Sequence, residues 1–220
     1  MAVDWIPVIL SLKIAGLSLG IVLLVGIPIA FLMARRDFIG KSIVESLLTL
    51  PLVMPPVVTG FILLYLIGRR GLIGTFLYEQ FGIQLIFTSG AAVLAAATVA
   101  FPLMYQSAKA AFLSVDRKME EVARTLNANE IKIFVTVTLP AAFPGIISGV
   151  VLAFARALGE FGATAMIAGN IPGKTQTIPI AIFFAAESNE IAKAGLYALI
   201  ISLVTFGLIY GVNHWLKQQT

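Results

Sequence analysis

Five apolar runs, each near the length that crosses a bilayer, constrain this chain more than any other feature. A spanning helix needs about 20 predominantly apolar residues. Runs of that kind cover residues 8–34, 44–67, 91–111, 141–168 and 195–215. Hydrophobic residues make up 59% of the 220 and charged ones only 12%, a balance too apolar for a soluble domain. Backbone groups in lipid must bond within their own segment. The expected fold is therefore all-α: one domain over residues 1–220, a polytopic membrane helix bundle with about five transmembrane helices.

The same composition removes several chemistries. The absence of cysteine excludes disulfides, iron–sulfur clusters and thiol nucleophiles. His214 is the single histidine, so a His-based metal site is not expected. No His or carboxylate cluster lies at catalytic spacing, and no catalytic residue is assigned. The net charge of +4 reads as membrane topology rather than nucleic-acid binding, because the basic residues lie between the apolar runs. Met1-Ala-Val-Asp-Trp5 carries no basic residue, which argues against a cleaved signal peptide. Trp5 suits an interfacial belt, and Lys13 can snorkel.

Charge bias sets the expected orientation. With the N-terminus outside and the C-terminus inside, Arg35, Arg36, Lys41, Lys109, Arg117, Lys118, Arg124, Lys132 and Lys217 face the cytoplasm. Arg69, Arg70, Lys174 and Lys193 remain outside. Nine against four favours this N-out, C-in arrangement.

The second run contains Pro51, Pro55 and Pro56, which free carbonyls and bend a helix where protein or a water-filled cavity supplies partners. Pro55, Pro56 and, in the third run, Pro102 are candidate kink or gate positions; packing around a kink is the alternative. A short surface helix is expected around Phe76, Leu77 and Tyr78, between Gly71 and Gly82. The alanine-rich third run suits the inside of the bundle, since small residues let helices approach closely. Pro140 marks the expected start of the fourth run. The stretch from Asn170 to Lys193 reads as mostly outside, with room for a short re-entrant helix over Ile178 to Ala186. Tyr210, Trp215 and Lys217 form an interfacial finish.

Residues 114–139 are the longest polar interruption. Read as a helix, Val115, Met119, Val122 and Leu126 form one apolar stripe. Arg117, Lys118, Glu120, Glu121 and Arg124 cover the remaining surface. Asp116 is an expected N-cap, and Asn127 suits the stop because asparagine accepts a left-handed backbone. Asn129 then caps a second short helix, Glu130 to Val135. A helix of this kind either lies on the lipid surface or docks on a partner.

The fourth run holds Leu152-Ala-Phe-Ala-Arg156-Ala-Leu-Gly-Glu160-Phe-Gly-Ala-Thr164. Arg156 and Glu160 are one helical turn apart and can pair. An ionisable group at membrane depth is a functional candidate by default. Two readings stay open: a neutralised pair that pins the bundle, or an Arg156 that weakly attracts a passing anion while Glu160 orients it. Gly159 and Gly162 would admit another backbone, and Thr164 would add a hydroxyl donor. Farther on, Gly169-Asn-Ile-Pro-Gly173-Lys-Thr175 superficially suggests a phosphate loop. Such a loop needs four residues between its glycines and a preceding strand, and neither is present.

Glu121, Ala123, Asn127, Val137, Leu139 and Pro140 resemble the cytoplasmic EAA loop of ABC-importer permeases, E-A-A-three residues-G-nine residues-I-x-L-P. Val122 stands where alanine is usual and Asn127 where glycine is usual. Phe154 to Thr164, with Asn170-Ile-Pro-Gly173, Thr175, Thr177 and Pro179, resembles the molybdate-type branch of oxyanion-importer permeases. Sulfate-type relatives share the Ala-Arg-x-Leu-Gly-Glu core but usually have Tyr, then Gly-Ser, where this chain has Phe161-Gly-Ala163.

That resemblance implies a permease subunit in a bacterial or archaeal cytoplasmic membrane, working as a homodimer and moving molybdate, with tungstate as a close mimic. Met119, Glu121, Val122, Ala123, Arg124, Leu126 and Asn127 would then form a cytoplasmic coupling helix that inserts into an ATPase subunit. Two such ATPases would carry ATP and magnesium, this chain itself would bind no cofactor, and an extracytoplasmic binding protein would deliver the oxyanion. A sulfate/thiosulfate permease is the near alternative. A stand-alone channel or secondary transporter is the alternative of another class, and the internal repeat it favours is not visible.

Overall fold

The computed structural model describes residues 4–217, with the side chains of residues 213 and 215–217 outside that description. The readings on Met1–Val3 and on the Trp215 and Lys217 side chains therefore fall outside the described residues. Helices follow in the order α1 (Ile6–Arg35), α2 (Lys41–Val53), α3 (Pro56–Ile67), α4 (Leu72–Phe81), α5 (Ser89–Ser114) and α6 (Arg117–Thr125). They continue as α7 (Glu130–Ile133), a π-helical turn (Phe134–Thr138), α8 (Leu139–Leu158), α9 (Gly162–Ala168), α10 (Ile178–Glu187) and α11 (Ile191–Lys217). No strand occurs among the described residues. Four helices are long and apolar enough to cross a membrane, and α2 with α3 makes a fifth crossing if counted as one broken span.

The core is built around α5, which packs along α1 on one side and α8 on the other. Its alanines make this possible. Ala91, Ala92, Ala95, Ala96, Ala97, Ala100, Ala108 and Ala111 are all buried. Across the seam, a Cβ on Gly145 of α8 would stand 2.6 Å from the Ala111 Cβ, and one on Gly149 would stand 2.7 Å from the Ser107 Cβ. Lipid tails are as apolar as leucine, so close packing of this kind, not hydrophobic exclusion, holds helices together. Buried Ser18 anchors α1 to α5 by donating to the Val93 carbonyl at 2.9 Å.

Two of the expected runs are not single helices. The second breaks between α2 and α3, whose axes differ by 116°. Met54 precedes Pro55 and Pro55 precedes Pro56, and a following proline drives a residue out of the helical region. Both adopt extended backbone, with ψ of 142° and 133°. Pro51, by contrast, sits inside α2 without ending it.

The fourth run departs at both ends. Pro140 does not open it: the helix is continuous from Glu130 through the π-helical turn into α8. The Leu139 N–H reaches back five residues to the Phe134 carbonyl, widening the helix just where Pro140 has no N–H to give. At the far end the run stops at Leu158, and Gly159 to Phe161 turn the chain into the separate helix α9. Helix α3 packs on α9, so the two broken segments seat on each other.

Candidate functional site

The polar segment after α5 is folded by its own capping residues. Asp116 Oδ1 accepts the Lys118 N–H at 2.9 Å, and Asn129 Oδ1 accepts the Lys132 N–H at 2.8 Å. These are the orphan amides of the first turns of α6 and α7. Asn127 adopts a φ of 58°, a left-handed stop between the helices. Arg124 closes the turn, with Nε and Nη2 donating to the two carboxylate oxygens of Glu130 at 2.7 and 3.0 Å. That fork holds the Glu130 carboxyl below its ordinary value and the Arg124 guanidinium above its own.

The apolar stripe is divided by the fold. Val115 ends α5 and is buried in the core, so it does not belong to the face of α6. Met119, Val122 and Leu126 remain and are 52%, 60% and 77% exposed, with Ile131 of α7 also outside. Glu121 and Arg124 are exposed too but line the cavity that Glu120 borders, while Ala123 is half-buried. A charged helix bearing three uncovered large apolar side chains presents a surface suited to a partner's groove.

Glu120 differs from its expected place on the solvent side. It is only 5% exposed, and its Oε1 lies 2.6 Å from Arg35 Nη2 at the end of α1. Thr138, 1% exposed, donates to the same oxygen at 2.7 Å. Helical periodicity gives no sign of this, because a glutamate away from an apolar stripe reads as solvated. The signal that could have found it was pairwise: Arg35 and Glu120 both end up at the same ends of neighbouring spans.

The second candidate group gathers where α8 breaks. Arg156 Nη1 lies 2.8 Å from Glu160 Oε2, with 28% of the arginine side chain but only 1% of the glutamate side chain exposed. The other carboxylate oxygen, Oε1, accepts the Ala163 N–H at 2.8 Å, at the start of α9. Glu160 thus joins an ion pair to a backbone amide across the break. Thr164 is buried beside it on α9. Pro56 comes to the same place, since a Cβ on Gly162 would stand 2.9 Å from the Pro56 Cβ. Gly162 therefore serves a close approach, whereas Gly159 does not: it is exposed, and the nearest atom to an added Cβ is its own helix's Ala155 carbonyl oxygen at 3.6 Å. Pro55 lies at the bend before α3. Pro102 is not part of this group; it is buried within α5, which runs through it unbroken.

In the glycine-containing loop after α9, three successive amides turn inward rather than toward a ligand. The N–H groups of Lys174, Thr175 and Gln176 all point to the Ile171 carbonyl. The buried Thr175 hydroxyl donates to the Gly169 carbonyl and accepts from the Ile171 N–H. No group of three His, Cys, Asp or Glu that could hold a metal occurs among the described residues.

Residues 26–216 match the family described as the binding-protein-dependent transport system inner membrane component. The chain belongs to this family. As a member of it, the chain is a membrane-embedded transport subunit rather than an enzyme. It is 47% identical over 217 residues to the molybdenum transport system permease protein ModB of Escherichia coli K12, covering 98% of this chain and 94% of that one. A putative molybdenum transport system permease protein of Bacillus subtilis, YvgM, is 42% identical, covering 94% and 91%. A probable sulfate transport system permease protein of Chlorokybus atmophyticus is 34% identical, covering 86% of this chain and 65% of that one. Among solved structures, the fold resembles a chain of the inward-facing MetNI methionine ABC transporter, with a TM-score of 0.70 at 15% identity over 97% and 94% of the two chains. It also resembles a chain of the bacterial alginate ABC transporter in complex with a pentasaccharide-bound periplasmic protein, with a TM-score of 0.74 at 16% identity over 93% and 75%.

Proposed function

We propose that this chain is the permease subunit of an ATP-binding-cassette importer that carries molybdate, with tungstate as a close mimic, across the cytoplasmic membrane. The observation that carries the substrate is the 47% identity to a molybdenum permease over nearly the full length of both chains. The mechanism rests on the exposed Met119, Val122 and Leu126 face of α6, which would seat helix-in-groove on a separate ATPase holding ATP and magnesium. Two copies of this chain would share one pathway about a two-fold axis, with an ATPase under each and a binding protein delivering the anion outside. Charge bias supports the N-out, C-in orientation that puts α6 in the cytoplasm.

In this scheme ATP-driven closure of the ATPase pair moves α6 on each copy. Bound nucleotide and substrate shift the permease between inward-open and outward-open states only by their different affinities for the two. The break between α8 and α9, with Arg156, Glu160, Thr164 and Pro56 around it, is the proposed place where the bundle lines or gates the pathway. A sulfate permease is the second reading, supported by the 34% match to a sulfate-system permease. The test is uptake by cells lacking their own systems, complemented with this chain, its ATPase and its binding protein. ATPase-dependent accumulation of molybdate with little sulfate is expected. Sulfate uptake would overturn the substrate, and uptake without an ATPase would overturn the class.

A further inference from the structure

Helix α6 is joined to the membrane bundle in an unusual way. Of its nine residues the one that is buried is charged, Glu120. Beneath it lies a cavity of about 390 Å³, lined by Phe31, Arg35, Glu120, Arg124 and Phe134 among others. Apolar packing therefore does not fasten α6 to the bundle. Polar contacts do: the exposed Arg124–Glu130 fork to α7 and, as the buried one, a single Glu120 carboxylate oxygen at 2.6 Å from Arg35 Nη2 and 2.7 Å from the Thr138 hydroxyl. Arg35 ends α1, and Thr138 ends the π-helical turn that leads into α8. Below these residues Phe31 of α1 packs edge-on against Phe112 of α5 and Phe134 of the π-helical turn, at 5.4 and 4.7 Å between ring centroids.

We infer that Glu120 is the positioning residue through which movement of α6 is passed to the spans, pulling α1 through Arg35 and α8 through Thr138. This rests on the proposed coupling role of α6. An ion pair with a shared hydrogen bond is directional and short-ranged, so displacement of α6 must carry both partners along or break them. Breaking is costly, because Arg35 is largely buried and Glu120 is its only ion-pair partner among the described residues. The Arg35 Nε has no hydrogen-bond partner among the described residues either, which leaves the guanidinium dependent on Glu120. The π-helical turn is a place where a helix accommodates a change of register, and Thr138 sits at its end. Glu121, the neighbouring carboxylate, also borders this cavity but is exposed and is not part of the buried contact with Arg35 and Thr138.

The test uses the permease assembled with its ATPase and binding protein in proteoliposomes, with molybdate as probe and sulfate in a parallel arm. Glu120→Gln keeps the size and a hydrogen-bonding oxygen but removes the charge. Expected is an ATPase that still copurifies and hydrolyses ATP, with anion uptake per ATP reduced about tenfold, the scale of a typical coupling energy. The exchange Arg35→Glu with Glu120→Arg should restore a substantial part of the uptake per ATP. Wild-type uptake per ATP in Glu120→Gln would overturn the inference, and so would loss of ATPase copurification, which would make Glu120 part of the docking surface. If Glu120→Gln fails to accumulate, the exchange variant decides: coupled transport supports the pairing, and a folded but uncoupled protein overturns it. Leu126→Asp, which touches only the docking face, separates failure of the docking reading from failure of this one.

Discussion

Gly60 of α3 and Ala163 of α9 meet backbone to backbone: a Cβ on Gly60 would lie 2.8 Å from the Ala163 Cα. The same atom would lie 2.8 Å from the Met166 Cβ, so neither side has a flexible side chain that could move aside. Both helices begin just after a break, at Pro55 and at Phe161. This contact fixes one broken segment on the other.

Gly60→Val should therefore force α3 and α9 apart. Overpacking of a tight seam costs about 1–3 kcal/mol. The expected outcome is a lower melting temperature of the purified permease and reduced uptake. An unchanged melting temperature would mean that the seam is looser than the backbone positions imply.

The docking face makes a second prediction. Leu126→Asp places a charge at the most exposed of the three apolar positions on α6, where little of the side chain is covered within the chain. Removal of a central interface anchor costs at least about 2 kcal/mol of association. ATPase bound per permease should fall, and hydrolysis should no longer drive uptake, while the permease remains in the membrane. Normal coupled transport by this variant would remove the docking claim.

The Arg156–Glu160 pair can be separated from the cap that Glu160 supplies. Arg156→Leu leaves a buried carboxylate uncompensated, and breaking such a pair costs about 3 kcal/mol, at the lower end because Arg156 is partly exposed. Adding Glu160→Gln removes the charge and keeps an oxygen for the Ala163 N–H. The double variant should regain most of the melting temperature. If it also regains transport, the pair pins the bundle; a stable but inactive double variant places Arg156 on the pathway.

Asn127 offers a backbone test. With φ at 58°, Asn127→Gly should be neutral or slightly stabilising. Asn127→Ile should cost about 1–2 kcal/mol, since the left-handed region crowds a Cβ and a branched one most. Circular-dichroism melts of the two variants compare them directly, and equal melts would contradict the strained stop.

Much of this protein was legible in its sequence, for identifiable physical reasons. Apolar run length is set by bilayer thickness, so an all-α membrane bundle with four or five candidate spans followed from counting. The caps at Asp116 and Asn129 and the stop at Asn127 are local chemistry, settled within three or four residues, and they could be read directly. The inward position of α5 followed from its alanines, because only small side chains let two neighbours close in on both sides.

What the tertiary structure alone decided depends on residues far apart in the chain. Whether Pro55–Pro56 bends a helix or ends it, and whether Pro140 starts one, turned on the neighbouring backbone: two extended residues in the first case, a π-helical turn in the second. Val115 and Met119 share a periodic stripe, yet the end of α5 draws one into the core and leaves the other outside. Glu120 shows the limit most clearly. Its neighbours Arg117, Lys118 and Glu121 are exposed charges, and only the arrival of Arg35, 85 positions away, and of Thr138 makes it a buried group. Periodicity registers which face of a helix is apolar; it carries no record of which distant charge will neutralise a polar one.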